Sequence, residues 1–298
     1  MKRSKPLIGI SVTTSLEAED AVAELLTTLI GGAAACYFNL ETRVSLVSVF
    51  SEKPLKPQLR AEILDGLRRL KEYGLDIAPG TVQIAKVKRE DWAESWKRHF
   101  KAFEVGSALL VKPSWIKREA RQNQAVVVLD PGLSFGTGQH PTTSFCLSEI
   151  VRGRKNGTAR SFLDIGTGSG ILAIAAAKLN FQPVKAFDFD PESVRVAKAN
   201  ARVNRVNGKI QITRGDVTKL ALKPAKKFDL VCANLISNLL MAEKKKIAAQ
   251  MKTDGTLVLA GILAVEFAEV EKSFATCGLK LVAAKTENEW RSGAFRFA

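Results

Sequence analysis

Residues 7–12 form an apolar run, residues 33–38, 44–50 and 82–87 have the composition of strands, and residues 18–30 and 57–73 repeat their apolar positions at helical spacing. The resulting order is β-α-β-β-α-β. That order predicts the ferredoxin-like split motif, a sheet with both helices on one face and the other face free for a partner. Asn39-Leu40-Glu41-Thr42 suits a hairpin loop between the middle strands, and Gly31-Gly32 suits the end of the first helix. Further on, Trp92, Trp96 and Phe100 recur every fourth residue behind Asp91, predicting a capped helix whose aromatic face serves packing. From residue 160 the pattern changes. Near-continuous apolar runs at 161–165, 184–187, 209–213, 228–233 and 256–260 alternate with helical stretches at 171–179, 191–206 and 239–251. Strands apolar on both faces, separated by helices, predict a buried parallel sheet, with any ligand outside the carboxyl ends of its strands. After a helix over 265–277, runs 280–284 and 294–297 supply an antiparallel pair at its edge. The expected organisation is a small α+β domain over 1–88, a linker helix and connecting segment over 89–120, and an α/β domain over 121–298.

The composition, 46% hydrophobic and 25% charged, is that of a soluble globular chain. The longest apolar runs, 171–177 and 257–265, are far shorter than the roughly 20 residues a bilayer span needs. The basic start Met1 to Lys5 leads into a short apolar run with no cleavage pattern, so a cytoplasmic protein without membrane contact is expected. Cys36, Cys146, Cys232 and Cys277 are scattered, which indicates neither a zinc site nor a disulfide framework. The net charge of +15 is unevenly placed: residues 1–80 hold ten basic and ten acidic residues, leaving 35 basic against 20 acidic beyond them. Much of the excess lies on predicted helices, as at Arg195, Lys198, Arg202 and Arg205, or in Lys244-Lys245-Lys246. Such charges are first read as solvated faces, with stable nucleic-acid binding not expected and a transient ribosomal or RNA encounter as the lesser reading.

The chemistry concentrates in Asp164-Ile165-Gly166-Thr167-Gly168-Ser169-Gly170, which joins a predicted strand to a predicted helix. Gly166, Gly168 and Gly170 let the backbone approach a ligand, and the helix start offers unpaired N–H groups. A dinucleotide fingerprint would place its third glycine at position 171, where this chain has Ile171, so nicotinamide cofactors are disfavoured. Asp188 follows Gly166 by 22 residues at the end of the next strand, the place from which a carboxylate takes ribose hydroxyls. Asp190, before Pro191 and Glu192, suits the N-cap of the following helix. The competing reading is that both aspartates only end a strand and start a helix.

The glycine run resembles the first motif of class I S-adenosylmethionine-dependent methyltransferases. Asp130-Pro131-Gly132-Leu133-Ser134-Phe135-Gly136-Thr137-Gly138-Gln139-His140-Pro141-Thr142-Thr143 and the later Ala233-Asn234-Leu235-Ile236 narrow the resemblance to the PrmA family, as do Asp91 to Phe100, Val111-Lys112-Pro113-Ser114-Trp115 and Gly261-Ile262-Leu263. The resemblance implies a doubly wound seven-stranded sheet and methylation of lysines and the N-terminal amine of large-subunit ribosomal protein eleven. It also implies an N-terminal ferredoxin-like domain that recognises this substrate. Asn234 would contact the cofactor or the incoming amine; otherwise it starts the next helix as an Asx turn. Thr143 would approach the cofactor from above, Asp216 would meet the adenine, and His140 is a candidate proton relay. Methyl transfer from a sulfonium depends chiefly on alignment and on keeping the amine neutral, so no nucleophilic triad is required. A base methyltransferase fits less well, because Asn234 is followed by Leu235, Ile236 and Ser237 rather than by an aromatic that could stack an extruded base. A different protein lysine, or a non-catalytic cofactor-binding module in ribosome assembly, remains open. A monomer is expected. The basic charge is no argument for a basic protein substrate, which it would repel.

Overall fold

The computed structural model describes residues 7–31, 34–39, 42, 44–51, 53–87, 101–130, 140–154 and 160–298. Residues 40 and 41 of the expected hairpin loop, the predicted helix 91–100 with Trp92 and Trp96, and positions 131–139 of the glycine and threonine loop lie outside them. The chain forms two compact units, Met1–His99 and Phe100–Ala298. No helix among the described residues is long and apolar enough to cross a membrane.

In the first unit the elements are β1 (Leu7–Thr14), α1 (Glu19–Ile30), β2 (Ala35–Asn39), β3 (Val44–Ser51), α2 (Leu59–Glu72) and β4 (Thr81–Val87). Their sheet order is β2-β3-β1-β4, antiparallel throughout, which is the ferredoxin-like arrangement. Period-two alternation decides which face is covered. Ile10, Val12, Val47 and Val49 pack against Val22 and Leu26 of α1 and Ile63 and Leu67 of α2, all essentially without exposure. Each such side chain contributes roughly 1.5–3 kcal/mol. Ser11 and Ser48, paired across β1 and β3, occupy the opposite face. Gly31 ends α1 at φ 80°, its N–H donating to the carbonyl of Thr27.

The second unit opens with a sheet the sequence reading did not foresee: β5 (Phe103–Val105), β6 (Leu109–Lys112) and β7 (Ala125–Val128), β5 antiparallel and β7 parallel to β6. Strands of three and four residues are too short for a period to show. Their side chains Val105, Leu109, Val111 and Val127 share a core with Cys146, Leu147 and Ile150 of α3 (Pro141–Gly153).

The main sheet comprises β8 (Phe162–Ile165), β9 (Val184–Asp188), β10 (Ile210–Arg214), β11 (Phe228–Asn234), β12 (Met251–Ala260), β13 (Leu279–Glu287) and β14 (Trp290–Phe297). Its order is β10-β9-β8-β11-β12-β14-β13. Strands β8 to β12 are mutually parallel, and β14 inserts antiparallel between β12 and β13. This is the class I methyltransferase sheet. Between the strands lie α4 (Ile171–Lys178), α5 (Pro191–Val203), α6 (Ser237–Ala242), α7 (Lys244–Ala249) and α8 (Phe267–Ala275). The helix expected over 239–251 is thus two short ones, interrupted at Glu243. Strand β12 begins at Met251, ahead of its apolar run, because Met251 pairs with Phe228 before the register shifts at Leu230 and Thr256. The chain leaves β8 toward β9 and later returns on its other side as β11. That reversal opens a crevice at the carboxyl ends of β8 and β11.

Candidate active site

At the end of β8 the chain turns through Gly166, Gly168 and Gly170, with φ of 74°, 52° and 82°. Only glycine takes such angles without strain. Space adds a second constraint: a Cβ on Gly166 would lie 2.5 Å from Cδ2 of Leu235, and one on Gly170 3.0 Å from Cβ and 3.1 Å from Cα of Ala197. The turn is therefore pressed between α5 and the segment after β11.

Asp188, the last residue of β9, ties down this turn. Its Oδ2 accepts from the N–H of Gly168 at 2.8 Å and its Oδ1 from the N–H of Asp190 at 3.0 Å. A carboxylate has about four acceptor positions, so two remain for a ligand's hydroxyls. Asp190 accepts from the N–H groups of Glu192 and Ser193 and caps α5, with Pro191 in the first turn, as its sequence predicts. Phe189, 65% exposed between them, has the Arg214 guanidinium 5.7 Å from its ring centroid. The sequence reading passed over this apolar plate beside the ribose position. Gly215 donates to the carbonyl of Asp188 at 2.9 Å, which brings Asp216 alongside. The Oδ1 of Asp216 accepts from both N–H and hydroxyl of Thr218, starting a short 3-10 turn over Val217–Lys219.

Asp164 was read only as part of the motif, yet it is the most perturbed acid here. It is fully buried. Burial pushes its carboxyl up to about 7, opposed by the Thr167 hydroxyl, which donates to Oδ2 at 2.6 Å, and by the N–H of Ala173, while the charge of Asp188 adds to the rise. Its Oδ1 has no hydrogen-bond partner among the described residues. The same holds for Oγ1 of Thr143, buried in the first turn of α3. Buried polar atoms of this kind are satisfied by a polar ligand or by water. Three left-handed glycines, two buried oxygens awaiting partners and the Asp188 carboxylate suit a ligand with an ammonium, a ribose and a polar tail. S-adenosylmethionine has all three.

Across the crevice, Asn234 ends β11 with its amide half-buried and in no hydrogen bond among the described residues. The next helix is capped at Ile236, so Asn234 is not its cap. Gly261, at φ 80°, leaves the room this side chain needs: a Cβ there would lie 3.0 Å from Oδ1 of Asn234 and 2.6 Å from the carbonyl oxygen of Leu235.

Because β14 runs antiparallel to β12, its first residue lies at the end of the sheet where β12 finishes. Hydrogen bonds from Arg291 to Ile262 and from Ala264 to Glu289 fasten this return. Trp290 then meets the His140 ring edge-on, centroids 5.0 Å apart, and donates its indole N–H to Oε1 of Glu289 at 3.1 Å. Nδ1 of His140 lies 2.7 Å from Oγ1 of Thr142. Burial lowers the His140 pKa, outweighing Glu289 and Glu287, which raise it, so the imidazole is neutral at pH 7. Trp290 belongs to no motif that the sequence alone would single out. Only the strand reversal brings it here.

A profile described as ribosomal protein L11 methyltransferase (PrmA) matches residues 6–297. The ribosomal protein L11 methyltransferase of Caldicellulosiruptor bescii is 34% identical over 94% of this chain and 95% of its own length. That of Geobacter metallireducens is 36% identical over 91% of each. The crystal structure of a ribosomal protein L11 methylase from Lactobacillus delbrueckii subsp. bulgaricus, 28% identical, superposes with a TM-score of 0.59, covering 67% of this chain and all of the other.

Proposed function

The chain belongs to the PrmA family of ribosomal protein L11 methyltransferases, and on that premise we propose that it methylates lysine side chains and the N-terminal amine of ribosomal protein L11. The observation that carries this reading is the Asn234 amide, in no hydrogen bond among the described residues and at the same strand end as the glycine turn and Asp188. S-adenosylmethionine, when bound, supplies an electrophilic methyl group on a positively charged sulfur.

The residues then divide the work. Asp188 takes the ribose hydroxyls, with Phe189 against one face of the adenine and Asp216 at its edge. Asp164 and Thr143 supply acceptors for the amino-acid end, and an ammonium beside Asp164 offsets the cost of burying its negative form. The carbonyl oxygen of the Asn234 amide accepts from the incoming amine and fixes its lone pair toward the crevice. His140, half-buried, takes up the proton the amine sheds. The βαββαβ unit, with one open sheet face, selects the protein substrate.

The test uses the full chain, S-adenosylmethionine and recombinant L11 made in cells that lack its own methyltransferase. Intact-mass and peptide mass spectrometry are expected to find methyl groups on lysines and on the N-terminal amine. Unmodified L11 beside a different labelled lysine protein would reject the substrate. Cofactor binding without any transfer would reject the enzyme.

A further inference from the structure

A second concave site lies at the opposite end of the main sheet. It is a cavity of about 480 Å³ at the amino-terminal ends of β9 and β10, with Lys185, Lys209, Asn180, Gln182 and Gln211 in its lining. Four residues of parallel strand, at about 3.3 Å each, separate this floor from Asp188, so it is distinct from the cofactor crevice. Lys178, at the last position of α4, and Arg205, just past α5, are cations outside the cavity's lining. Burial lowers the Lys178 pKa first, and repulsion from Lys209 and then Arg205 lowers it further.

Helix termini account for only part of this cluster. Lys178 and Arg205 complement the negative ends of α4 and α5. Carbonyls in the last turn of both helices are, however, already bonded, those of Ala177 and Ala176 in α4 by the N–H groups of Asn180 and Phe181, and those of Arg202 and Ala201 in α5 by those of Arg205 and Val206. Lys185 and Lys209 are at strand starts, where no helix dipole calls for them. Among the described residues none of the four cations is in an ion pair, although nine such pairs occur elsewhere. Lys185 and Lys209, lining one pocket with Asn180, Gln182 and Gln211 and in no ion pair among the described residues, form a site for an anion with several acceptor oxygens.

We propose that this basal pocket binds phosphate esters, through Lys185 and Lys209 with amide donors from Gln182 and Gln211, at a site separate from methyl transfer. The phosphate can be carried by an RNA backbone or by a small phosphorylated molecule. Either source would meet the pocket while the catalytic crevice, on the other end of the sheet, remains open to its protein substrate.

The experiment uses the full chain and two probes, a fluorescein-labelled single-stranded 20-nucleotide RNA and uridine 5′-monophosphate. Anisotropy from 50 to 300 mM KCl follows the first and calorimetry the second. Lys185→Gln with Lys209→Gln is compared with a charge-matched pair elsewhere on the same unit, Lys223→Gln with Lys226→Gln. For the RNA source, the pocket pair is expected to weaken RNA binding at least about tenfold at 100 mM KCl and to flatten the log–log salt slope by about 1.4. The control pair should change affinity less than about twofold, and Lys185→Arg with Lys209→Arg should restore it. For the small-molecule source, the pocket pair abolishes nucleotide binding and leaves any RNA binding as the control pair leaves it. Unchanged methyl transfer to free L11 and an unchanged melting temperature establish that the variants fold. Equal loss in the two glutamine pairs for both probes, no loss in the pocket pair, or no binding of either probe would overturn the proposal.

Discussion

At the scale of single residues, Asp188 joins structure to ligand. Replacing it by alanine removes the proposed acceptor of the ribose hydroxyls and leaves the Gly168 N–H without its acceptor. Asp188→Ala is expected to weaken S-adenosylmethionine binding tenfold or more, since a charged hydrogen bond is worth roughly 1.5–3 kcal/mol, and to lower the melting temperature slightly. Calorimetry and thermal denaturation measure both. Asn234 behaves differently, because its amide is in no hydrogen bond among the described residues. Asn234→Ala should slow methyl transfer roughly ten- to a hundredfold while cofactor affinity changes little, which single-turnover kinetics beside a binding titration would decide. Asp164 titrates where it can be followed. Its folded pKa of about 7 lies above the ordinary 3.8, so its contribution to stability is fully present below pH 3.8 and is lost as pH rises through about 7. Asp164→Asn is therefore expected to be more stable than the native chain at pH 8, by a free energy on the order of 4 kcal/mol, with the two converging near pH 4. Cofactor affinity in the native chain should rise with pH up to about 7, as an ammonium favours the ionised acid, and this slope should vanish in Asp164→Asn. A Tm difference independent of pH would contradict the assignment.

At the scale of elements, the turn between β8 and α4 is fixed by two different neighbours, and substitutions can tell them apart. Gly166 and Gly170 both hold left-handed φ, which costs a side chain roughly 1–2 kcal/mol. A Cβ at position 166 meets the far end of the Leu235 side chain, whereas one at 170 meets the backbone of α5 at Ala197. Gly170→Ala should thus cost about 2–4 kcal/mol once overpacking is added. Gly166→Ala should cost less in a Leu235→Ala background than in the native one. Urea denaturation of the single and double variants reads the coupling, and simple additivity would mean that Leu235 is not the obstacle. The glycines are legible in the sequence as a motif because their backbone angles are local. Leu235, 65 residues or more away, is not.

For the whole molecule, the division at His99 and Phe100 sets where the chain can be cut. Starting at Thr81 would leave β4 without β1, its only neighbour in the first sheet, and expose an unpaired strand. A chain starting at Phe100 retains every residue assigned to the cofactor. It is expected to bind S-adenosylmethionine within about threefold of the full chain and to lose methylation of L11, because selecting a folded protein takes more surface than a lysine pocket offers. Equal labelling of L11 by both chains would remove substrate selection from the first unit.

Much of this protein is determined by its sequence read alone. The βαββαβ order, the parallel sheet, the glycine turn with Asp188 behind it and the cap at Asp190 all follow from local period, backbone angles and short spacing, which the chain carries wherever it folds. Asn234 at a strand tip was legible for the same reason. The tertiary structure decided the rest, through contacts between residues far apart in sequence. The short strands β5 to β7 find their core only against α3. Trp290 reaches His140 only because β14 runs back against β12. Asp164 acquires its raised pKa from burial between neighbouring strands, and Lys185 and Lys209, 24 residues apart, line one pocket because β9 and β10 are parallel neighbours that begin at the same end of the sheet. Burial and electrostatics depend on what packs around a group, and one-dimensional order does not contain that.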